Sequence, residues 1–228
     1  MTDPTPAAGQ PHPLTGQPVP DPPAVVSERY PDATPRLVEY AAWLADAGTV
    51  RGLIGPREVP RLWDRHLLNS IALTELLPTG IRLVDIGTGA GLPGIALAIA
   101  RPDLRVDLVE SLRRRTDFLS EVVAALDLTG RVRVIRGRAE DSAVVRVVGG
   151  AEFVTARAVA PLDKLIRWAF PLLAPGGSLM AMKGATAEAE VAEHAAVIRR
   201  SHGRLAGVIE CGVGFVEPPT RVIQLIKQ

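Results

Sequence analysis

Residues 83–95, reading Leu-Val-Asp-Ile-Gly-Thr-Gly-Ala-Gly-Leu-Pro-Gly-Ile, limit the possible folds of this chain more than any other stretch. An apolar, β-branched run ends in a carboxylate, Asp85, and a turn follows with four glycines in eight residues: Gly87, Gly89, Gly91 and Gly94. An apolar helix (95–100) and a second apolar strand (105–109) come next, closed by another acid, Glu110. Strand, glycine turn, helix, strand and acid make up a nucleotide-binding βαβ unit. Glycine lets the backbone take positive φ and lets a ligand approach the main chain. A carboxylate about 20 residues after the turn is placed to accept hydrogen bonds from a ribose diol. The unit is built for a ligand based on adenosine.

The residues leave two cofactors open. Gly89-x-Gly91-x-x-Gly94 satisfies the dinucleotide fingerprint literally, so the pattern alone does not exclude NAD. Asp85 shifts the balance. A carboxylate at that strand end would repel a pyrophosphate, whereas it suits a ligand carrying an α-amino group and a sulfonium, S-adenosylmethionine.

Downstream the pattern alternates. Apolar strands are expected at 82–86, 105–109, 132–136, 153–158, 178–182, 205–210 and 222–226, with helices at 92–100, 112–126, 141–148, 162–173 and 185–200. Continuous apolar strands separated by helices predict an α/β fold, a seven-stranded and mostly parallel sheet with helices on both faces. The last two strands follow each other directly, so a hairpin or a reversed strand is expected at one edge. This is the class I, Rossmann-like methyltransferase sheet, and no chain is left for the second domain of a dehydrogenase. Before it, residues 24–78 read as a small helical cap. One helix starts with Thr34 as cap and Pro35 at its first position and stops near Gly48; a second spans 59–76.

Residues 1–23 hold eight prolines, no basic and no aromatic residue, and are expected to form a disordered tail. They lack the basic start and apolar stretch of a secretory signal, and no segment reaches the ~18 apolar residues of a membrane span, so a cytoplasmic protein is expected. One cysteine, Cys211, and four histidines without metal spacing predict no disulfide and no metal site. His66 and the three tryptophans, Trp43, Trp63 and Trp168, read as packing residues. The net charge is +1 over 228 residues, but nine arginines face six acids between 101 and 138, and further arginines cluster at 51–65 and 199–204. That distribution permits RNA binding without demanding it.

Together with Glu110-Ser111, Arg138-Ala139-Glu140, Thr155-Ala156-Arg157-Ala158, Met182-Lys183-Gly184 and Trp63-Asp64-Arg65-His66-Leu67-Leu68-Asn69-Ser70, the Asp85–Ile95 segment resembles the bacterial small-subunit ribosomal RNA methyltransferase G family, also called glucose-inhibited division protein B. The resemblance covers residues 34–226. It departs at Asn69, where an acid is expected. It implies an S-adenosylmethionine-dependent enzyme that methylates guanine N7 at one position in the decoding region of 16S ribosomal RNA. It implies a cofactor site made of Asp85, Gly87, Gly89, Gly91, Leu92, Glu110, Ser111, Ala139, Glu140 and Arg157. Within this set Glu110 takes the ribose, and Ala139 and Glu140 line the adenine. Arg157 and Lys183 are the catalytic candidates beside the acceptor base. The expected partner is 16S RNA or the small ribosomal subunit, bound by a monomer without a metal. A class I methyltransferase with another RNA or small-molecule acceptor is the alternative, and an NAD-binding oxidoreductase a more distant one.

Overall fold

The computed structural model describes residues 18–228, so most of the proline-rich tail lies outside the described residues. Seven strands form one sheet in the order β3-β2-β1-β4-β5-β7-β6. They are β1 (Arg82–Ile86), β2 (Arg105–Glu110), β3 (Val132–Arg136), β4 (Ala151–Arg157), β5 (Leu173–Lys183), β6 (Gly203–Cys211) and β7 (Thr220–Lys227). All adjacent pairs from β3 to β5 are parallel, and β7 runs antiparallel between β5 and β6. The expected hairpin at one edge is therefore present as β6 and β7, with β7 inserted between β5 and the edge strand β6.

Alternation along each strand divides the core in two. Leu83, Val106 and Leu108 pack on one face with α4 (Gly94–Ala100), α5 (Arg113–Ala125) and the cap. Val84, Ile86, Val109, Val154 and Ala156 pack on the other with α6 (Ser142–Val148) and α7 (Leu162–Ala169). Successive side chains point to opposite faces, so an apolar run with no polar break needs both faces covered. Asp85 falls on the cap face, in register with Leu108 and Thr155. The expected helix 185–200 is instead two, α8 (Ala187–Glu193) and α9 (Ala195–Arg200), broken at His194. Cys211 is buried, and burial pushes its thiol up to about 11.

The cap departs most from expectation. A short helix, α1 (Ala24–Arg29), precedes α2 (Thr34–Trp43). Thr34 is the first residue of α2 and not its cap; its hydroxyl donates back to Tyr30 O at 2.9 Å. The chain stays helical past Gly48, where a wide π turn, Leu44–Gly48, continues to residue 50. The helix expected at 59–76 is a series: a 3-10 segment (Pro56–Arg61) containing Pro60, a π turn (Leu62–Leu67), α3 (Leu68–Ala72) and a closing 3-10 turn. Proline inside a helix removes a donor and crowds the preceding turn, which accounts for the break. Residues 18–23 of the expected tail lie against this cap: Val19 packs on its core, and Pro20 O accepts from Trp63 Nε1 at 2.8 Å.

Candidate functional site

The strand order reverses between β1 and β4, and in open α/β sheets the crevice for a ligand lies beyond the carboxyl ends of the strands at such a point. There the glycine turn is built around Asp85. Its Oδ2 accepts from Thr88 Oγ1 (2.6 Å) and from Gly94 N–H (2.9 Å). A Cβ on Gly94 would run into Leu108 and lie 2.8 Å from that same Oδ2, so only glycine lets α4 start on the carboxylate. Gly87, Gly89 and Gly91 all have positive φ (63°, 60° and 98°). A Cβ on Gly91 would meet Ile95 at 2.5 Å and the Tyr40 hydroxyl at 2.8 Å, whereas one on Gly89 would touch only Gly87 O, at 3.9 Å. Gly91 therefore shapes the loop and Gly89 leaves its outer side free. Tyr40, from the cap helix α2, is buried and donates its hydroxyl to Ala90 O at 2.8 Å. Burial and the nearby Asp85 hold that phenol well above its usual range, so it remains a donor.

The second oxygen of Asp85, Oδ1, is buried with no partner among the described residues. Burial, which disfavours the charged form, pushes this carboxyl up to about 7. An orphaned buried carboxylate oxygen at the mouth of a positive-φ glycine turn calls for a donor or a cation from outside the chain.

Glu110 ends β2 across from the turn and is 3% exposed. One oxygen accepts from Ser111 N–H (2.8 Å) and Leu112 N–H (3.0 Å), the other from Gly89 N–H (3.1 Å) and Arg115 (3.2 Å). It faces a cavity of about 210 Å³ lined by Gly87, Ser111, Ala139 and Glu140, with Val159 and Trp168 on the opposite wall. Gly87, Glu110, Ser111, Ala139 and Glu140 thus meet as expected from the sequence. Trp168 is a correction: it is a wall of this cavity and not only packing. It lies far from the glycine turn in sequence, and no local motif singles it out. Asp85, Gly89, Gly91 and Leu92 also depart from expectation in that none lines the cavity: the Asp85 and Leu92 side chains are buried under the turn, and the two glycines shape the loop.

Beyond β4, β5 and the start of β7 opens a larger cleft of about 630 Å³, within the ~300–1,000 Å³ usual for ligand sites. Arg61, Arg65, Arg157, Lys183 and Arg221 line it, with Asp64, Glu210 and Glu217. Arg157, the last residue of β4, lines this cleft and not the smaller cavity, and the next residue, Ala158, takes φ 54°. The Arg157 guanidinium donates to Arg65 O (2.7 Å), His66 O (3.2 Å), Ser70 Oγ (3.2 Å) and His66 Nδ1 (3.0 Å). With Asn69 Nδ2 donating to Asp64 O, side chains serve three consecutive carbonyls of the π turn. Asn69 Oδ1 in turn accepts from Thr220 Oγ1 at 2.6 Å, so the amide joins the turn to β7 without a charge. Lys183 Nζ is held by Glu190 (2.7 Å) and Ala160 O (2.9 Å).

Five of the nine arginines between 101 and 138 have partners in the chain. Arg101 pairs with Asp103, Arg113 with Asp117, Arg115 with Glu110 and Arg133 with the buried Asp107, while Arg131 donates to Ala98 O. Among the described residues no group of His, Cys, Asp and Glu is arranged to hold a metal, and no helix is long and apolar enough to cross a membrane.

Comparison with known proteins matches residues 33–214 to the family model of GidB, the rRNA small subunit methyltransferase G. The ribosomal RNA small subunit methyltransferase G of Salinispora arenicola is 53% identical over 225 residues, covering 96% of this chain and 91% of that protein. The Thermobifida fusca protein of the same name is 54% identical, over 87% of this chain and 82% of its own. Among solved structures, the mitomycin 7-O-methyltransferase MmcR superposes with a TM-score of 0.56 at 18% identity, over 88% of this chain and 67% of that one. Fibrillarin from Aeropyrum pernix, with natively bound S-adenosyl-L-methionine, gives 0.51 at 15% identity, over 70% and 76%. Those likenesses fix the fold as that of the class I methyltransferases, and the sequence matches fix the rest: this chain belongs to the rRNA small subunit methyltransferase G family.

Proposed function

We propose that this protein transfers a methyl group from S-adenosylmethionine to N7 of one guanine in the decoding region of 16S ribosomal RNA, acting as a cytoplasmic monomer on that RNA or on the small ribosomal subunit. The observation that carries this reading is the unpartnered, buried Oδ1 of Asp85, a carboxyl close enough to Arg157 of the basic cleft to feel its charge. A cationic amino group answers that oxygen, and a pyrophosphate would be repelled by it, which disfavours NAD. In this reading Asp85 takes the amino group, Glu110 the ribose hydroxyls, and Ala139, Glu140 and Trp168 the adenine. When bound, the cofactor supplies an electrophilic methyl group on a sulfonium.

The chain's own contribution is alignment. Holding two reactants in line lowers a barrier by ~7–11 kcal/mol. Guanine N7 offers a lone pair and carries no proton, so no base has to be supplied. The two cations at the strand ends, Arg157 and Lys183, are donors and suit phosphate or guanine O6. Methylated N7 fixes a positive charge on the base and opens its imidazole ring to reduction. Borohydride followed by aniline should then cut 16S RNA at one new position after treatment with the protein, with a rate nearly flat from pH 7 to 9 at saturating cofactor. Methyl label incorporated without strand scission would place the methyl on another atom.

A further inference from the structure

Glu58, His66 and Arg157 form a line from the surface of the cap to the acceptor cleft. Glu58 Oε2 lies 3.0 Å from His66 Nε2, and His66 Nδ1 lies 3.0 Å from the Arg157 guanidinium. The roles in this chain follow from elementary chemistry. A guanidinium only donates, so Nδ1 must accept, and the ring proton must sit on Nε2. Nε2–H then donates to the Glu58 carboxylate, which fixes that tautomer. His66 is mostly buried, with a side-chain exposure of 16%. Its carbonyl and that of Arg65 also receive Arg157, so the imidazole completes a four-point grip on a side chain that lines the cleft.

We propose that His66 is a positioning residue for the acceptor site: its neutral ring, oriented by Glu58, sets the guanidinium of Arg157 at the end of β4, and a proton on Nδ1 undoes that placement. The inference rests on the reading of the basic cleft as the place where guanine is presented. A doubly protonated imidazole has no lone pair for Arg157 and sets two cations 3.0 Å apart. The charged groups facing the ring are Glu58 from the 3-10 segment, Arg65 from its own turn and Arg157 from β4, with Arg61 acting on Glu58. Burial first, then Arg157, hold the imidazole below its usual range, while the hydrogen bond to Glu58 opposes them. Near neutral pH the ring is therefore neutral, and placement fails only as the solution becomes acidic. Because neither guanine N7 nor Arg157 titrates in this range, and Asp85 acts through cofactor affinity, an acidic limb in kcat at saturating cofactor belongs to His66.

Three variants and one spectrum test this. His66→Leu keeps the bulk and removes the acceptor, so kcat for methyl transfer to RNA should fall ~10-fold or more while cofactor affinity stays within ~3-fold. His66→Asn offers an amide oxygen close to the Nδ1 position and should recover most of that loss, without the acidic limb. Glu58→Gln keeps an acceptor for Nε2–H but removes the charge that favours protonation, so the limb should move to lower pH. Nitrogen NMR of the ring in the intact protein should show the Nε2–H tautomer and titration below ~6.5. A ring protonated on Nδ1, or His66→Leu at full activity with an unchanged pH profile, would overturn the proposal. The NMR result stands whether or not methyl reaches RNA, so absent transfer by the wild-type protein would count against the functional reading alone.

Discussion

Replacing Asp85 by asparagine separates what the carboxylate does to the fold from what it does for a ligand. Burial lifts the carboxyl from 3.8 to about 7, so keeping it ionised in the folded chain at pH 8 costs ~4 kcal/mol, at ~1.36 kcal/mol per tenfold. The folded value lies above the unfolded one, so the folded chain holds the extra proton between them and loses stability as the pH rises from about 4 to 7. Asparagine keeps one oxygen for Thr88 Oγ1 and Gly94 N–H and abolishes the charge. It also sets an amide NH2 where Oδ1 has no partner, at a cost of ~1–3 kcal/mol. Without ligand, Asp85→Asn should therefore be more stable than wild type by ~1–3 kcal/mol at pH 8, and the two curves should meet within ~1 kcal/mol of each other near pH 5. Denaturant unfolding at several pH values reads this convergence. Titration calorimetry should show the opposite order for S-adenosylmethionine, with affinity ~10–100-fold lower in the variant from the lost charged hydrogen bond. Wild-type affinity should weaken several-fold from pH 7.5 to 6, where the carboxyl must first shed its proton, while the variant's should not. A variant less stable than wild type at pH 8 and with undiminished cofactor affinity would refute the assignment.

Two further substitutions probe the loop. Gly91→Ala puts a Cβ against Ile95 and the Tyr40 hydroxyl at φ 98°, and should destabilise by ~2–4 kcal/mol in denaturant unfolding, whereas Gly89→Ala meets no close neighbour and should cost only ~1–2 kcal/mol while reducing cofactor affinity at least tenfold by calorimetry. Tyr40→Phe leaves the Ala90 carbonyl without its donor and should lower stability by ~1–2 kcal/mol, with a loss of cofactor affinity if the loop loosens, both read in the same two assays.

Local chemistry made much of this legible from the sequence. Strand 82–86 is readable to the residue because an apolar run meets a turn that only glycine can make, and the same glycines announce the cavity. Glu110, Ser111, Ala139 and Glu140 fall where strand ends must place them. What escapes the sequence comes from distant partners. Leu92 stands next to the turn, yet its side chain joins the core on the cap side of the sheet. Trp168 reaches the cavity from α7, and Tyr40 reaches the loop from α2, fifty residues away. In the series of short helices at 56–76, Pro60 marks the first break in the sequence, but the π turn after it is held by side chains from elsewhere, Arg157 above all. Periodicity in the segment itself carries no trace of them.

The cap is what ties the two halves of the site together. Its first long helix holds the glycine turn through Tyr40, and its second π turn and α3 hold Arg157, at the end of β4, through His66 and Ser70. Buried hydrophobic residues of α2, the π turn and α3 belong to the same core as α4, which starts on Asp85. A shift of the cap would therefore move the glycine turn and the mouth of the basic cleft at once, since one packed body contacts both. This explains why a small helical extension is merged into the sheet's core and not joined to it by a linker. It also explains why charged side chains at the strand ends have intramolecular partners: Arg157 and Lys183 are fixed by carbonyls, His66 and Glu190 before any RNA arrives. Preorganised donors lose little freedom on binding, and for a reaction that needs alignment and no proton transfer, that fixity is the main thing the chain can contribute.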